Sequence, residues 1–254
     1  MKHESTIISY SDGESLATRK EIFSRLKTYP ATEDETERSM GLFLRGSLLA
    51  RILAIEEIYK RILNIPGMIF DVGTWRGQTA VLCENFRAIH EPMHFNRRIA
   101  CFDTFEGYLG FSDADRATEI HKDGTYSTGG DEAAEYLASL LRLHETSNFG
   151  GNNAGKHYVV KGDCRKTIPE FFEKNPNEFV ALCFMDVNSV VPTRESFDYI
   201  FDRMVPGGIV AFWQLTRNII PAEGMVYAQA ILGKRDHKLF RTATYPGLCY
   251  LVKD

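Results

Sequence analysis

The sequence predicts an α/β protein built on a doubly wound, mostly parallel sheet, with helices before it, a long lid within it and an antiparallel hairpin closing it. Three observations carry that prediction. Short apolar runs of strand length alternate with stretches of helical periodicity from residue 68 to residue 232, the pattern of β-α units joined by right-handed crossovers. Four of the runs, 68–72, 98–103, 157–163 and 179–186, carry an acid at or near their end: Asp71, Asp103, Asp163 and Asp186. Two last runs, 238–244 and 248–253, flank Tyr245-Pro246-Gly247, a hairpin signal. Sheets of this class bind ligands beyond the carboxyl ends of their strands, so the four acids fall where chemistry is expected.

Residues 1–36 are polar, with a short helix expected over 15–29, then Pro30 and an acidic patch at 33–37. Leu42, Leu48, Leu49, Ile52, Leu53, Ile55, Ile58 and Ile62 recur at helical spacing over 37–63, with a break near Gly46. We read 1–65 as an N-terminal helical cap and 66–254 as the main domain. The cap is expected to cover an edge of the core; capping a substrate pocket or forming an oligomer interface are the alternatives.

Pro66-Gly67 leads into the first strand, which ends in Asp71-Val72-Gly73-Thr74-Trp75-Arg76-Gly77 before a helix over 78–86. Glycines let a backbone approach a ligand and take positive φ, and a helix N-terminus offers free N–H groups. A dinucleotide site wants G-x-G-x-x-G directly after the strand. The spacing here is D-x-G-x-x-x-G, which disfavours an NAD-dependent oxidoreductase. One acid and two glycines suit a ligand with a cationic amino group, and the stretch resembles the S-adenosylmethionine site of class I methyltransferases, within the Rossmann-like folds. Asp71, Gly73 and Gly77 are the candidate cofactor residues, although two glycines in such a turn also arise for structural reasons.

Asp103 ends the second strand, placed for ribose hydroxyls or, alternatively, for a local cap. Residues 104–157 are long for a connection between strands and interleave Phe105, Tyr108, Phe111, Tyr126, Tyr136 and Phe149 with Gly107, Gly110, Gly124, Gly129, Gly130, Gly150 and Gly151. We read them as a lid over the cofactor, with one helix from about 131 to 144, and take Tyr108 and Tyr126 as substrate-side candidates. After the third strand, Asp163 and the Cys164 N–H are candidates for the adenine; Asp163 equally suits the N-cap of a helix over 166–174. The fourth strand ends in Asp186, a helix follows over 192–204, and Pro206-Gly207-Gly208 reads as a turn before a fifth strand at 209–213. A helix over 223–232 precedes the hairpin.

Composition removes other classes. Thirty basic against 34 acidic residues give a net charge of -4, with no basic tract for a phosphate backbone. No apolar run is long enough to span a membrane. Five scattered cysteines without a C-x-x-C pair read as buried thiols of a reducing compartment, so a cytoplasmic protein is expected.

The chain resembles the sugar O-methyltransferases of natural-product pathways, the macrocin O-methyltransferase-like family, and within it the calicheamicin-pathway type acting on a nucleotide-activated deoxysugar. The resemblance runs from about residue 67 to 233 and rests on Phe102-Asp103-Thr104-Phe105, Gly129-Gly130, Gly162-Asp163, Thr167-Ile168-Pro169, Asp186, Pro192-Thr193 and Pro221, among others. It implies that Asp71, Gly73, Gly77, Asp103 and Asp163 bind S-adenosylmethionine, that the acceptor is a sugar hydroxyl, and that the protein is a homo-oligomer. It also implies Mg²⁺ held by carboxylates at the ends of strands four and five. Here only Asp186 remains: Asn188 stands for one acid and Trp213-Gln214 for an acidic pair. One carboxylate with amides is a poor set for a hard dication, so Asp186 and Asn188 are doubtful metal ligands.

An acceptor hydroxyl needs a base. Asp186 is the first candidate, with organisation of its loop through Asn188 or Thr193 as the alternative. His144 is second, although a histidine at a helix end beside Glu145 has a structural reading, and His121 in the lid is the weakest. Glu223, after Pro221, is placed to reach a sugar hydroxyl or simply to favour a helix N-terminus. The altered Asn188 and Gln214 positions motivate a rival reading: a methyltransferase fold that binds cofactor or sugar nucleotide without methylating.

Overall fold

The computed structural model describes residues 12–109, 111–115, 124–149, 154–217 and 220–254. Strands β1 (Met68–Val72), β2 (Ile99–Asp103), β3 (Tyr158–Lys161), β4 (Val180–Met185) and β5 (Met204–Phe212) run parallel. With β6 (His237–Arg241) and β7 (Cys249–Lys253) they form one sheet in the order β3-β2-β1-β4-β5-β7-β6, β7 entering antiparallel between β5 and β6. Every residue of β1 and β4 is buried, which is why these strands read as continuous apolar runs rather than alternating ones.

Helices α3 (Gly46–Arg61), α4 (Gln78–His90) and α5 (Asp131–Phe149) cover one face, packing Ile55, Ile58, Cys83 and Leu137 on Ile69, Cys101 and Phe184. Helices α6 (Cys164–Lys174), α7 (Val190–Asp202) and α8 (Ala222–Val226) cover the other, with Phe171, Phe172 and Phe197 against Phe70, Phe102 and Phe212. A π-helical turn, Tyr227–Ile231, extends α8.

Three boundaries differ from the sequence reading. Helix α3 buries Ala54, Ile55, Ile58 and Tyr59 in the main core, so the cap proper shrinks to α1 (Gly13–Lys27) and α2 (Glu33–Arg38), which bury nothing. Helix α5 runs on to Phe149 and is the crossover helix between β2 and β3, which confines the lid expectation to the segment before it. Pro206, Gly207 and Gly208 lie inside β5, where Met204 pairs with Val180 but Ile209 with Leu182. The three residues are a bulge that swallows the expected turn.

Arg97 fastens the lead-in to β1. Its guanidinium is buried, pairs with Glu91 at 2.8 Å and donates to the carbonyls of Ile62, Ile65 and Gly67. A bidentate group of this kind satisfies backbone acceptors that would otherwise be stranded between helix and strand.

Candidate active site

The carboxyl edge of the sheet gathers most of the predicted side chains. At its β1–β2 part, β1 passes into a turn where Gly73 (φ +81°), Trp75 (φ +51°) and Gly77 (φ +79°) are left-handed. A Cβ on Gly73 would overlap the Asp186 carbonyl, and one on Gly77 would overlap the Leu137 side chain of α5. Both glycines are therefore demanded by packing, and that packing presents the uncapped start of α4 to the edge.

Asp71 is buried and accepts a hydrogen bond from the Thr74 hydroxyl. Burial, with Asp186 and Asp103 adding to it, pushes its carboxyl up to about 7. Asp103 accepts from the Trp75 N–H through one oxygen and from the Phe105 N–H through the other, both at 2.7 Å. It thus ties the β1 turn to the start of the lid, the local-cap alternative, while each oxygen keeps a lone pair. Burial raises its pKa as well. Above lie the lid aromatics: Tyr126 is edge-on to Trp75 at 6.3 Å and to Tyr108 at 5.4 Å. Trp75 Nε1 is buried without a hydrogen-bond partner.

Asp163 caps α6, accepting from the Arg165 N–H at 3.0 Å, and is gripped by the Arg165 guanidinium at 2.9 Å. That grip holds its carboxyl below the usual range. Cys164 opens α6 with its side chain in the core.

At the β4–β5 part, Asp186 follows β4, and Asn188 (φ +62°) donates its Nδ2 to Asp186 Oδ1 at 2.9 Å. Glu223 is completely buried, and its Oε2 accepts from the Gln214 N–H at 2.6 Å. Three side-chain oxygens here, Asn188 Oδ1, Gln214 Oε1 and Glu223 Oε1, are buried with no hydrogen-bond partner among the described residues. Burial raises the pKa of Asp186, and raises that of Glu223 well above the ordinary range with Asp186 adding to it. The Tyr108 hydroxyl is raised by burial and by Asp186, so the lid tyrosine joins this part of the edge.

Two sequence candidates do not join it. His144 lies 3.2 Å from Asn85 of α4, near the end of α5 that leads back to the amino ends of β2 and β3. There Glu84, Arg87, Glu145 and His157 form a buried network, with His157 Nε2 3.0 Å from Glu84 and Arg87 donating to Glu84 at 2.7 Å. His144 therefore stands apart from the carboxyl edge, and because α5 continues to Phe149 with no basic residue in its last turn, the helix-end reading is replaced by the contact with Asn85. His121 lies outside the described residues. Among the described residues, no three His, Cys, Asp or Glu side chains group as a metal site needs. Asp186 already accepts the Asn188 amide, and the donor set does not fit a hard dication.

One contributor was invisible in the sequence. Arg51 of α3 sits over the ring of Trp213, its Cζ 3.7 Å from the ring centroid. Its charge favours the ionised forms of both Asp186 and Asp71. No local motif could reveal this, because the two partners are remote in the chain.

The sheet order, its antiparallel seventh strand and the acid-glycine turn at the β1–β4 switch point define a class I methyltransferase fold. The structure is similar to the calicheamicin methyltransferase CalS11, with a TM-score of 0.89 and 28% identity over 96% of this chain and 94% of that one. It is likewise similar to the apo form of CalS11, a TDP-rhamnose 3'-O-methyltransferase, with a TM-score of 0.81 and 26% identity over 96% of each chain. The O-methyltransferase NovP shares the fold, with a TM-score of 0.59 and 16% identity over 80% of this chain and 79% of that one. A search of curated proteins gave no match. The macrocin O-methyltransferase (TylF) profile matches residues 44–219, more than half of the chain. The protein belongs to the macrocin O-methyltransferase family.

Proposed function

We propose that this enzyme transfers the methyl group of S-adenosylmethionine to a hydroxyl of a nucleotide-activated deoxysugar. The observation that carries this reading is the likeness to CalS11 over nearly the whole of both chains. When bound, the donor supplies a sulfonium methyl for in-line displacement, which leaves the protein chiefly the work of positioning. Asp71, with the free N–H groups at the start of α4, suits the donor's amino-acid end. Asp103 offers its remaining lone pairs to the ribose, and Asp163 with the Cys164 N–H borders the adenine. Gly73 and Gly77 set the turn's closeness to its neighbours, and Tyr108 and Tyr126 close over the edge.

Asp186 takes the acceptor's proton. Its raised pKa brings it nearer to neutrality, which favours a general base. Glu223 stays protonated through burial, and its unpaired Oε1 donates to a sugar oxygen. No step is assigned to Mg²⁺. The exposed Leu42, Leu49 and Leu53 support a homo-oligomer. No helix among the described residues is long and apolar enough to cross a membrane.

The direct test is methyl transfer from S-adenosylmethionine to a panel of nucleotide deoxysugars, run with and without EDTA, alongside S-adenosylhomocysteine titration. Transfer that persists in EDTA supports the reading. The amides at Asn188 and Gln214 favour the rival, a binding protein without turnover. Product-free binding of S-adenosylhomocysteine across the panel, with turnover gained in Asn188→Asp/Gln214→Glu plus Mg²⁺, would establish that rival instead.

A further inference from the structure

Arg51 lies on the second turn of α3, in a segment the sequence reading treated as core cover. Its guanidinium is braced by Trp213, which is itself buried and stacked on Phe184 at 6.2 Å. Its Nε is buried and meets no acceptor, and the guanidinium makes no ion pair with any described residue. A half-buried cation held by a ring face alone has hydrogen-bonding capacity to spare.

The edge below it is short of a cation in the complementary way. Asp71 is a buried carboxyl whose hydrogen bond comes from a neutral hydroxyl, and it has no basic partner among the described residues. Asp71 is the register partner of Phe184, Trp213 stacks on Phe184 and Arg51 lies over Trp213, so the acid and the guanidinium stand along one face of the sheet with no ion pair joining them among the described residues. An acid and a guanidinium that share a face without joining match a ligand carrying an ammonium and a carboxylate on one carbon. The guanidinium fork accepts a carboxylate through two parallel hydrogen bonds.

We propose that Arg51 receives the α-carboxylate of the methyl donor's amino-acid arm, opposite Asp71 at its ammonium group. Helix α3 then supplies a ligand-binding residue, and the stack on Trp213 holds the fork in place before the ligand arrives. This assignment rests on the reading that the donor is S-adenosylmethionine.

The experiment compares two probes by calorimetry. S-adenosylhomocysteine carries the amino-acid arm; 5′-methylthioadenosine has the same adenosine and thioether without it. Arg51→Met keeps an unbranched stem and removes the fork; Arg51→Lys keeps the charge without the fork. The expected result is an S-adenosylhomocysteine affinity weakened about ten- to a hundred-fold in Arg51→Met, the range of a lost charged hydrogen bond. Methylthioadenosine affinity stays within about two-fold, which also reports an intact cleft, and Arg51→Lys falls between for the first probe.

Equal weakening of both probes overturns the assignment and makes Arg51 a brace for the cleft. So does unchanged S-adenosylhomocysteine affinity with a raised KM for the nucleotide sugar, which would put Arg51 on the acceptor's phosphate. If the wild-type protein binds S-adenosylhomocysteine and Arg51→Met binds it equally well, only the Arg51 assignment falls. If the wild type binds neither probe, the donor reading itself falls.

Discussion

The two parts of the carboxyl edge are finished to different degrees. Around β1 and β2 the carboxylates are already engaged by the protein: Asp103 by two backbone N–H groups, Asp71 by Thr74, Asp163 by its helix and Arg165. Around β4 and β5, Asn188, Gln214 and Glu223 each leave a buried oxygen without a partner among the described residues. A buried polar group left unpaired costs about 1–3 kcal/mol, so two amide oxygens and one protonated carboxyl in one place point to a ligand that brings both donors and acceptors. Hydroxyls of a sugar are both. On the proposed function the donor part is a preformed cradle, and the acceptor part is completed by its substrate.

That contrast predicts which substitutions move which quantity. The largest effect is expected from Asp186→Asn, which retains an oxygen for the Asn188 amide but removes the base. Turnover should fall about 10²- to 10⁴-fold, measured by single-turnover methyl transfer. Gly73→Ala should damage both parts, because its Cβ would press on the Asp186 carbonyl at a left-handed position. Denaturant unfolding should show a loss of roughly 2–4 kcal/mol.

Asp71→Asn should weaken S-adenosylhomocysteine about ten-fold or more in calorimetry, and it should also change stability with the opposite sign. The folded-state pKa of about 7 stands above the unfolded value. The stability held in the protonated carboxyl is therefore complete below about pH 4 and is lost as pH rises through about 7. The uncharged amide carries no such loss, so the variant should melt above the wild type at pH 8 and level with it near pH 4. Glu223→Met should raise the acceptor KM about ten-fold with donor affinity unchanged, while Glu223→Gln, whose amide still accepts the Gln214 N–H and still donates, should stay close to the wild type. The smallest effect belongs to His144→Ala, whose turnover should stay within about two-fold of the wild type by the same assay.

The sequence made one part of this contrast more readable than the other. Asp71, Gly73, Gly77 and Asp103 sit in a short local pattern whose spacing reflects one strand, one turn and one helix, so the cradle could be read from consecutive residues. The central strands were legible because both faces are buried, and the hairpin because Pro246-Gly247 punctuates it. Arg51 over Trp213 is a product of packing between elements remote in the chain, whereas Glu223 under Gln214 closes a nine-residue loop and was legible as a candidate, though not its partner. In a single sequence Arg51 is one more polar residue on an amphipathic helix. The β5 bulge misled for a related reason: Pro206-Gly207-Gly208 does turn the backbone, but the strand resumes pairing with β4 on both sides of it. His144 carried suitable chemistry at a position that topology directs to the other end of the sheet.

The separability of the two parts is the central claim, and the S-adenosylhomocysteine affinity of the Asp186→Asn/Glu223→Met double variant tests it most directly. A calorimetric Kd within about three-fold of the wild type, in a protein that no longer methylates, is the predicted result. A loss of affinity of about ten-fold or more would contradict the account, because donor and acceptor would then share one set of groups rather than two.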